Sequence, residues 1–282
     1  MRFASKAISV LANIAKAIAP VDPQPFHTFR ERIRQGRRYY CPVCNRHLWF
    51  FDPFPIQFLK WYDQYGYVHS IFCAETFNLF DYSCPRCSAA DRDRLYALYL
   101  RRVFSQIDST KKYTFIDFAP APALSNMIKS YSFLNYRSAD LLMNGVDDRV
   151  DITDMPLYKD NSIDMFLCSH VLEHVEDDRK AMAELYRILK LGGWGILMVP
   201  IVLTLSDVYE DASIESASER WKYFGQGDHL RIYGKQGFLS RLENAGFTVR
   251  QFGVDYFGSD VFEKHGINPR SCLYVVQKSL SE

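Results

Sequence analysis

No run in this chain of 282 residues is both apolar enough and long enough to cross a bilayer, which takes about 20 apolar residues in a row. The apolar stretch at 1–20 is interrupted by Lys6 and Lys16. No clean small-residue cleavage site follows it, which argues against a secretory leader and leads to the expectation of a cytoplasmic protein. Lys and Arg form no tight run beyond Arg37-Arg38, so no long basic groove is evident. The segment 117–123, after an apolar run, holds no glycine.

What is present fits a folded α/β protein. Hydrophobic residues make up 48% and charged residues 24%, the balance of a soluble globular chain. The length suits one domain with an appendage. Aromatics reach 15%, which reads first as core and interdomain packing and second as a stacking surface for a substrate. The net charge of +1 conceals an uneven spread: 17 Lys and Arg against 9 Asp and Glu in residues 1–112, then 17 against 24. The basic front end could attract RNA or anionic lipid, or simply be a solvated face. Phe3, Ile8, Leu11, Ile14 and Ile18 keep near-helical spacing, so residues 1–20 read as an amphipathic helix that packs on a protein surface or lies in a membrane plane. Pro20, Pro23 and Pro25 then end it.

Four of the seven cysteines form two pairs, Cys41-Pro-Val-Cys44 and Cys84-Pro-Arg-Cys87. Two intervening residues let both thiolates of a pair face one ion, and two pairs close a tetrahedron. The pattern predicts a structural Zn2+ site, with disulfides as the less favoured alternative. The aromatic segments between the pairs, Trp49-Phe50-Phe51, Trp61-Tyr62 and Tyr65, are expected to cover that site. A helix with arginines on its outer face follows from Asp91.

Residues 163–200 give strand, helix, Gly192-Gly193 turn and strand, the pattern of a parallel α/β unit. Ser169 and His170 stand at the end of the first of these strands, where open α/β sheets bind ligands. Earlier strands are expected at 113–116, at 134–139 and up to 150, and a terminal one at 271–277. Asp228, His229, Arg231 and Tyr233 fall within six residues and supply an acid, a titratable base and an anion clamp. An Asp228–Arg231 pair with a packed Tyr233 is the structural alternative. The Ser-rich acidic stretch 206–219 reads as a lid or insertion.

The His-Val-Leu-Glu-His-Val segment at 170–175 and the Leu-Lys-x-Gly-Gly turn at 189–193 resemble a class I S-adenosylmethionine-dependent methyltransferase of the type 11 kind. The resemblance covers about residues 110–278. It implies a Rossmann-like, seven-stranded, mostly parallel sheet, here joined to a small N-terminal zinc-ribbon-like module. The expected domains are an N-terminal helix and Pro-rich linker (1–25), the four-cysteine module with its connecting helix (26–109) and the methyltransferase domain (110–282). In that family an acidic residue and a glycine-rich loop follow the first strand. Here Asp117 is present, but Ala119, Ala121 and Ala123 stand in place of glycines. The resemblance also implies that Asp140 accepts from the ribose hydroxyls and that Asp151 and Ile152 flank the adenine. Ser169 and His170 are placed at the methionine end. His229, assisted by Asp228, is the expected base, with His170 as a further catalytic candidate and Arg231 and Tyr233 binding the acceptor. The expected reaction is methyl transfer from S-adenosylmethionine to an O or N nucleophile on a small molecule or sugar. RNA is the second acceptor class, and a binding protein without catalysis is the third reading.

Overall fold

The computed structural model describes residues 39–280. The expected amphipathic helix at 1–20 and its Pro-rich linker lie outside the described residues. The centre is a seven-stranded sheet made of β3 (Tyr113–Phe118), β4 (Leu134–Asp140), β5 (Asp148–Arg149), β6 (Ile163–Ser169), β7 (Leu189–Met198), β10 (Thr248–Phe252) and β11 (Leu273–Gln277). Their order across the sheet is β10-β11-β7-β6-β3-β4-β5. β11 runs antiparallel to both neighbours, and the other pairs are parallel. The order steps outward from β3 in both directions, so the carboxyl ends of β3 and β6 flank a topological switch point, where such sheets bind ligands.

The middle strands are apolar on both faces, as strands covered by helices on each side must be. Phe115, Ile116, Phe166, Leu167, Ile196 and Leu197 are buried. Gly195 lets β6 and β7 close up, because a Cβ there would stand 2.4 Å from the Phe166 ring. Four helices cover the sheet: α2 (Asp91–Phe104), α3 (Pro122–Lys129), α4 (Asp178–Ile188) and α6 (Lys235–Asn244). On α4, Ala181, Met182, Leu185 and Ile188 make one buried stripe at helical spacing. Asp177 starts that helix by accepting from the Lys180 amide at 2.9 Å.

Several sequence expectations need adjustment. The strand expected up to residue 150 is only Asp148–Arg149, and Asp151 lies in the turn beyond it. Gly192-Gly193 does not precede the strand but sits inside β7, where the register against β6 shifts. Gly192, at φ 75°, donates its amide to the Lys278 carbonyl, and the Lys278 amide donates to the Gly193 carbonyl. The stretch 206–219 carries β8 (Tyr209–Glu210), paired with β9 (Arg231–Ile232), and leads into α5 (Ala217–Phe224). Arg94, expected on a solvated face, is fully buried and donates to the carbonyls of Asp81, Tyr82, Ala89, His265 and Gly266. Five backbone acceptors satisfy one planar guanidinium, which is what permits its burial.

The cysteine region begins with a hairpin, β1 (Tyr39–Cys41) and β2 (Arg46–Leu48). The aromatic segments after it do not all cover the thiols. Helix α1 (Ile56–Tyr65) packs instead on α5, through Trp61, Tyr62 and Tyr65 around Trp221. The remaining element, a helical pair α7 (Val254–Phe257) and α8 (Ser259–Lys264), joins β10 to β11. No helix among the described residues is long and apolar enough to cross a membrane.

Candidate functional site

The carboxyl ends of β3, β4 and β6 bring the expected cofactor residues to one sheet edge. Phe118 of β3 pairs in register with Ala139 of β4 and with Cys168 of β6. Ala119, Asp140 and Ser169 therefore come level at the edge, and Asp117, paired with Ser138 and Leu167, lies two positions below. Asp117 is buried, and its Oδ2 accepts from Ser125 Oγ at 2.6 Å and Tyr136 Oη at 2.7 Å. Its Oδ1 has no hydrogen-bond partner among the described residues. Burial raises the carboxyl to about 6, against the pull of the two hydroxyls. Ala119 turns at φ 52°, in the left-handed region that a glycine would occupy without strain. Ala121 then precedes Pro122, which opens α3 at the first helical turn. Ala119 and Ala121 are both half-buried.

Asp140 ends β4 and uses Oδ1 to accept from the amides of Leu142 and Met143. Asp151 is exposed and holds Thr153 in the same manner, while Ile152 is buried. Ser169 shares a hydrogen bond of 2.9 Å with Tyr96 of α2. His170 follows β6 at φ 57°. Its Nδ1 lies 3.1 Å from Glu173 Oε1. Burial first, and Arg92 second, depress its pKa and favour the neutral imidazole.

A cavity of about 300 Å³ opens beside His170. Its roof comes from the region between the cysteine pairs, with Phe54, Phe58, Tyr62 and Tyr67. Its polar wall holds His170, Glu173, His174, His229 and Arg92. Sequence reading put Arg92 on a solvated helix face that could meet a phosphate, and it missed Glu173 and the roof. The aromatic excess was the only signal for the roof, and its first reading was core packing.

The cluster at 228–233 is split by the fold. His229 lines the cavity, 3% exposed, with Nδ1 facing the Phe224 carbonyl at 3.1 Å. Burial keeps its pKa low. Asp228 is 71% exposed and approaches His174, at 3.3 Å. Arg231 does not pair with Asp228. It is buried, donates to the carbonyls of Leu172, Val175 and Glu176, and bridges to Glu210 at 2.8 Å. Tyr233 donates to Asp178 at 2.7 Å. Neither Arg231 nor Tyr233 lines the cavity beside His170. Both tie β9 to the segment that carries Glu173 and His174.

The four thiols meet as the spacing requires. Cys41 and Cys87 stand 3.8 Å apart at sulfur, Cys44 and Cys84 3.9 Å. Bonds of 2.3 Å to a tetrahedral ion put sulfurs about 3.8 Å apart. Asn45 and Ser88 follow the two pairs at φ 56° and 61°, so the knuckles turn alike. All four cysteines are free of disulfides. Hydrogen bonding to Cys41 and Cys84, then burial, push the Cys87 thiol well up.

Residues 131–197 match the family described as a methyltransferase domain. No curated protein matches the chain. Solved structures with a similar course include the [4+2]-cyclase SpnF, at 17% identity over 82% of this chain and 100% of that one, with a TM-score of 0.47. A SAM-dependent methyltransferase from Archaeoglobus fulgidus is 12% identical over 66% and 94%, with a TM-score of 0.42. The YcgJ protein from Bacillus subtilis is 15% identical over 64% and 96%, with a TM-score of 0.39.

Proposed function

We propose that this chain is a class I S-adenosylmethionine-dependent methyltransferase that methylates a hydroxyl on a small molecule or sugar held in the cavity beside His170. The observation that carries the reading is the cavity itself: an aromatic roof over a wall of titratable side chains, at the carboxyl edge of β6. A volume of about 300 Å³ suits a compact acceptor and leaves no room for a strand of RNA inside it. RNA remains the second reading, supported by the basic balance of residues 1–112 and the four-cysteine module within them.

The edge residues fit the cofactor. Ala119 makes the left-handed turn despite its methyl group, Asp117 keeps one carboxylate oxygen unpartnered beneath the loop, and Asp140 has a second carboxylate oxygen to offer a ribose. Asp151 and Ile152 stand next along the edge for the adenine. When bound, the sulfonium supplies an activated methyl group whose bond to sulfur breaks, with its electron pair, as the bond to the acceptor oxygen forms. The chain's part is positioning, water exclusion and removal of one proton.

His170 is the residue we assign to that proton. Its neutral imidazole lies between the cofactor edge and the cavity, and Glu173 stands beside Nδ1 to balance the charge gained. This assignment replaces His229 with Asp228 as the base pair, because Asp228 leans on His174 instead. Arg231 and Tyr233 become positioning residues, since their polar groups are spent on backbone and Asp178. The four-cysteine cluster is assigned a structural zinc, closed to substrate, that pins the cavity roof to the sheet.

The test is a methyl-transfer assay with labelled S-adenosylmethionine against sugar, phenol and RNA panels. The reading expects cofactor binding by calorimetry and label in a small acceptor, lost in His170→Ala. Label confined to RNA, with affinity falling steeply in salt, would replace the small-molecule reading. Failure to bind the cofactor would remove catalysis altogether.

A further inference from the structure

Glu173 is fully buried, and among the described residues neither of its carboxylate oxygens has a hydrogen-bond partner. His170 comes within 3.1 Å but out of line for a hydrogen bond. An unpaired carboxylate in that position is costly unless something cationic meets it. Beside it, Nε2 of His229 is also buried without a partner among the described residues. The Nδ1–H of His229 donates to the Phe224 carbonyl, which leaves the Nε2 lone pair free.

His174 completes the cluster. Its ring stands edge-on to that of His229, with centroids 4.7 Å apart, and its Nδ1 faces the Asp228 carboxylate. One ligand atom from each of Glu173, His174 and His229 lies within 4.8 Å of the other two. All three residues line the cavity. A metal-binding imidazole keeps its second nitrogen on a carboxylate or carbonyl, and both imidazoles here do so. Two imidazoles and one carboxylate suit zinc and neighbouring divalent ions, with a further position left open. Magnesium and calcium prefer an all-oxygen set.

We propose that Glu173, His174 and His229 bind one divalent transition metal ion of the zinc class, with its open position facing the acceptor cavity. Ligand atoms around such an ion stand about 3.4 Å apart. His174, the least buried of the three, closes the gap by side-chain rotation. The inference deepens the proposed methyl transfer and rests on the cavity being the acceptor pocket. An acceptor hydroxyl oxygen fills the open position, and the ion lowers its pKa. The proton then passes to His170 as the oxygen takes the methyl group. The site is separate from the four cysteines, which supply only sulfur.

Cobalt(II) titration of the full chain, after dialysis against a mild chelator and without S-adenosylmethionine, reads the site directly. Thiolate-bound cobalt gives strong near-ultraviolet charge transfer, and nitrogen- and oxygen-bound cobalt gives only weak visible bands. The wild type is expected to take one equivalent with the weak bands alone, beyond any bound by thiolate. His174→Ala and Glu173→Gln lose that equivalent or bind it at least about tenfold more weakly. His174→Ala changes the least buried ligand, so its circular dichroism and melting should match the wild type. A wild type with no cobalt outside the thiolates would overturn the proposal, as would a His174→Ala protein with unchanged nitrogen–oxygen cobalt affinity. Because no methyl donor is present, a failed titration leaves methyl transfer intact, and a failed transfer assay leaves the metal site intact.

Discussion

Ala119 and His170 are the residues that follow two adjacent parallel strands, β3 and β6, and both turn left-handed, at φ 52° and 57°. Neither is glycine. Two such turns side by side lift the chain away from the sheet edge on both sides of the switch point. Strain of this kind collects where a site needs a particular backbone path.

Ala119 tests that view on stability. A left-handed alanine costs about 1–2 kcal/mol, and glycine returns part of the gain through the freer unfolded chain. Ala119→Gly is therefore expected to stabilise the protein by about 1 kcal/mol, read as a higher melting temperature. Ala119→Val should destabilise it. An Ala119→Gly protein that melts lower would show that the turn is not strained.

Asp140 tests the cofactor edge. Asp140→Asn keeps an oxygen for the Leu142 and Met143 amides but loses the charged acceptor. Charge-assisted bonds contribute about 1.5–3 kcal/mol. Calorimetry should show S-adenosylmethionine affinity reduced about tenfold or more, with melting of the free protein unchanged. Equal affinity would place the ribose elsewhere.

The cysteine site predicts metal-dependent stability. Cys87→Ser should remove the thiolate-bound equivalent, measured by elemental analysis. It should also lower the melting temperature, because the closed site contributes directly to folding. The roof over the cavity depends on that region, so cofactor-independent binding of any small acceptor should weaken as well. Retention of a full zinc equivalent in Cys87→Ser would point to another ligand set.

His265 predicts a pH effect. Its Nδ1 donates to the Tyr40 carbonyl at 2.6 Å, next to Cys41. Burial, then Lys264 and Arg94, depress its pKa to about 4, against the pull of the Tyr40 carbonyl. The unfolded chain takes this proton first, near 6.5. The contribution of His265 is thus full above 6.5 and is lost as pH falls toward 4, by about 3 kcal/mol at most. Asp91 and Asp117, raised to about 6 by burial, tilt the opposite way over the same range. The readout is accordingly the difference in unfolding free energy between wild type and His265→Gln, which should shrink on acidification. A difference independent of pH would rule out a neutral buried imidazole.

Arg231 separates a positioning role from a substrate clamp. Arg231→Met removes one donor from Glu210, which keeps Arg241, and takes the guanidinium from the carbonyls of Leu172, Val175 and Glu176. Leaving a buried acceptor unpaired costs about 1–3 kcal/mol. Chemical denaturation should show that loss. A stable Arg231→Met protein whose only defect is a raised KM would restore the clamp.

Much of this protein was legible along the chain because local spacing carries it. Cys-x-x-Cys pairs fix which thiols can meet, and the strand–helix–strand rhythm at 163–200 fixes a parallel unit. The edge positions of Asp140 and Ser169 followed from strand ends, since parallel strands put those ends at one edge, whereas β3 runs one residue past Asp117. What spacing could not convey was which polar groups the fold would consume. Asp228, His229, Arg231 and Tyr233 are neighbours in sequence, yet β9 and its flanking turn send them in different directions. Arg231 is drawn inward by three carbonyls from a loop some 55 residues earlier, and Asp228 is left outside beside His174. Only the tertiary structure also brings the aromatic residues of α1 over the sheet edge, because their partner, Trp221, lies on α5, far along the chain. Sequence determined the elements and their order, through periodicity and short-range geometry. Packing between distant segments decided which side chains stay free to meet a ligand.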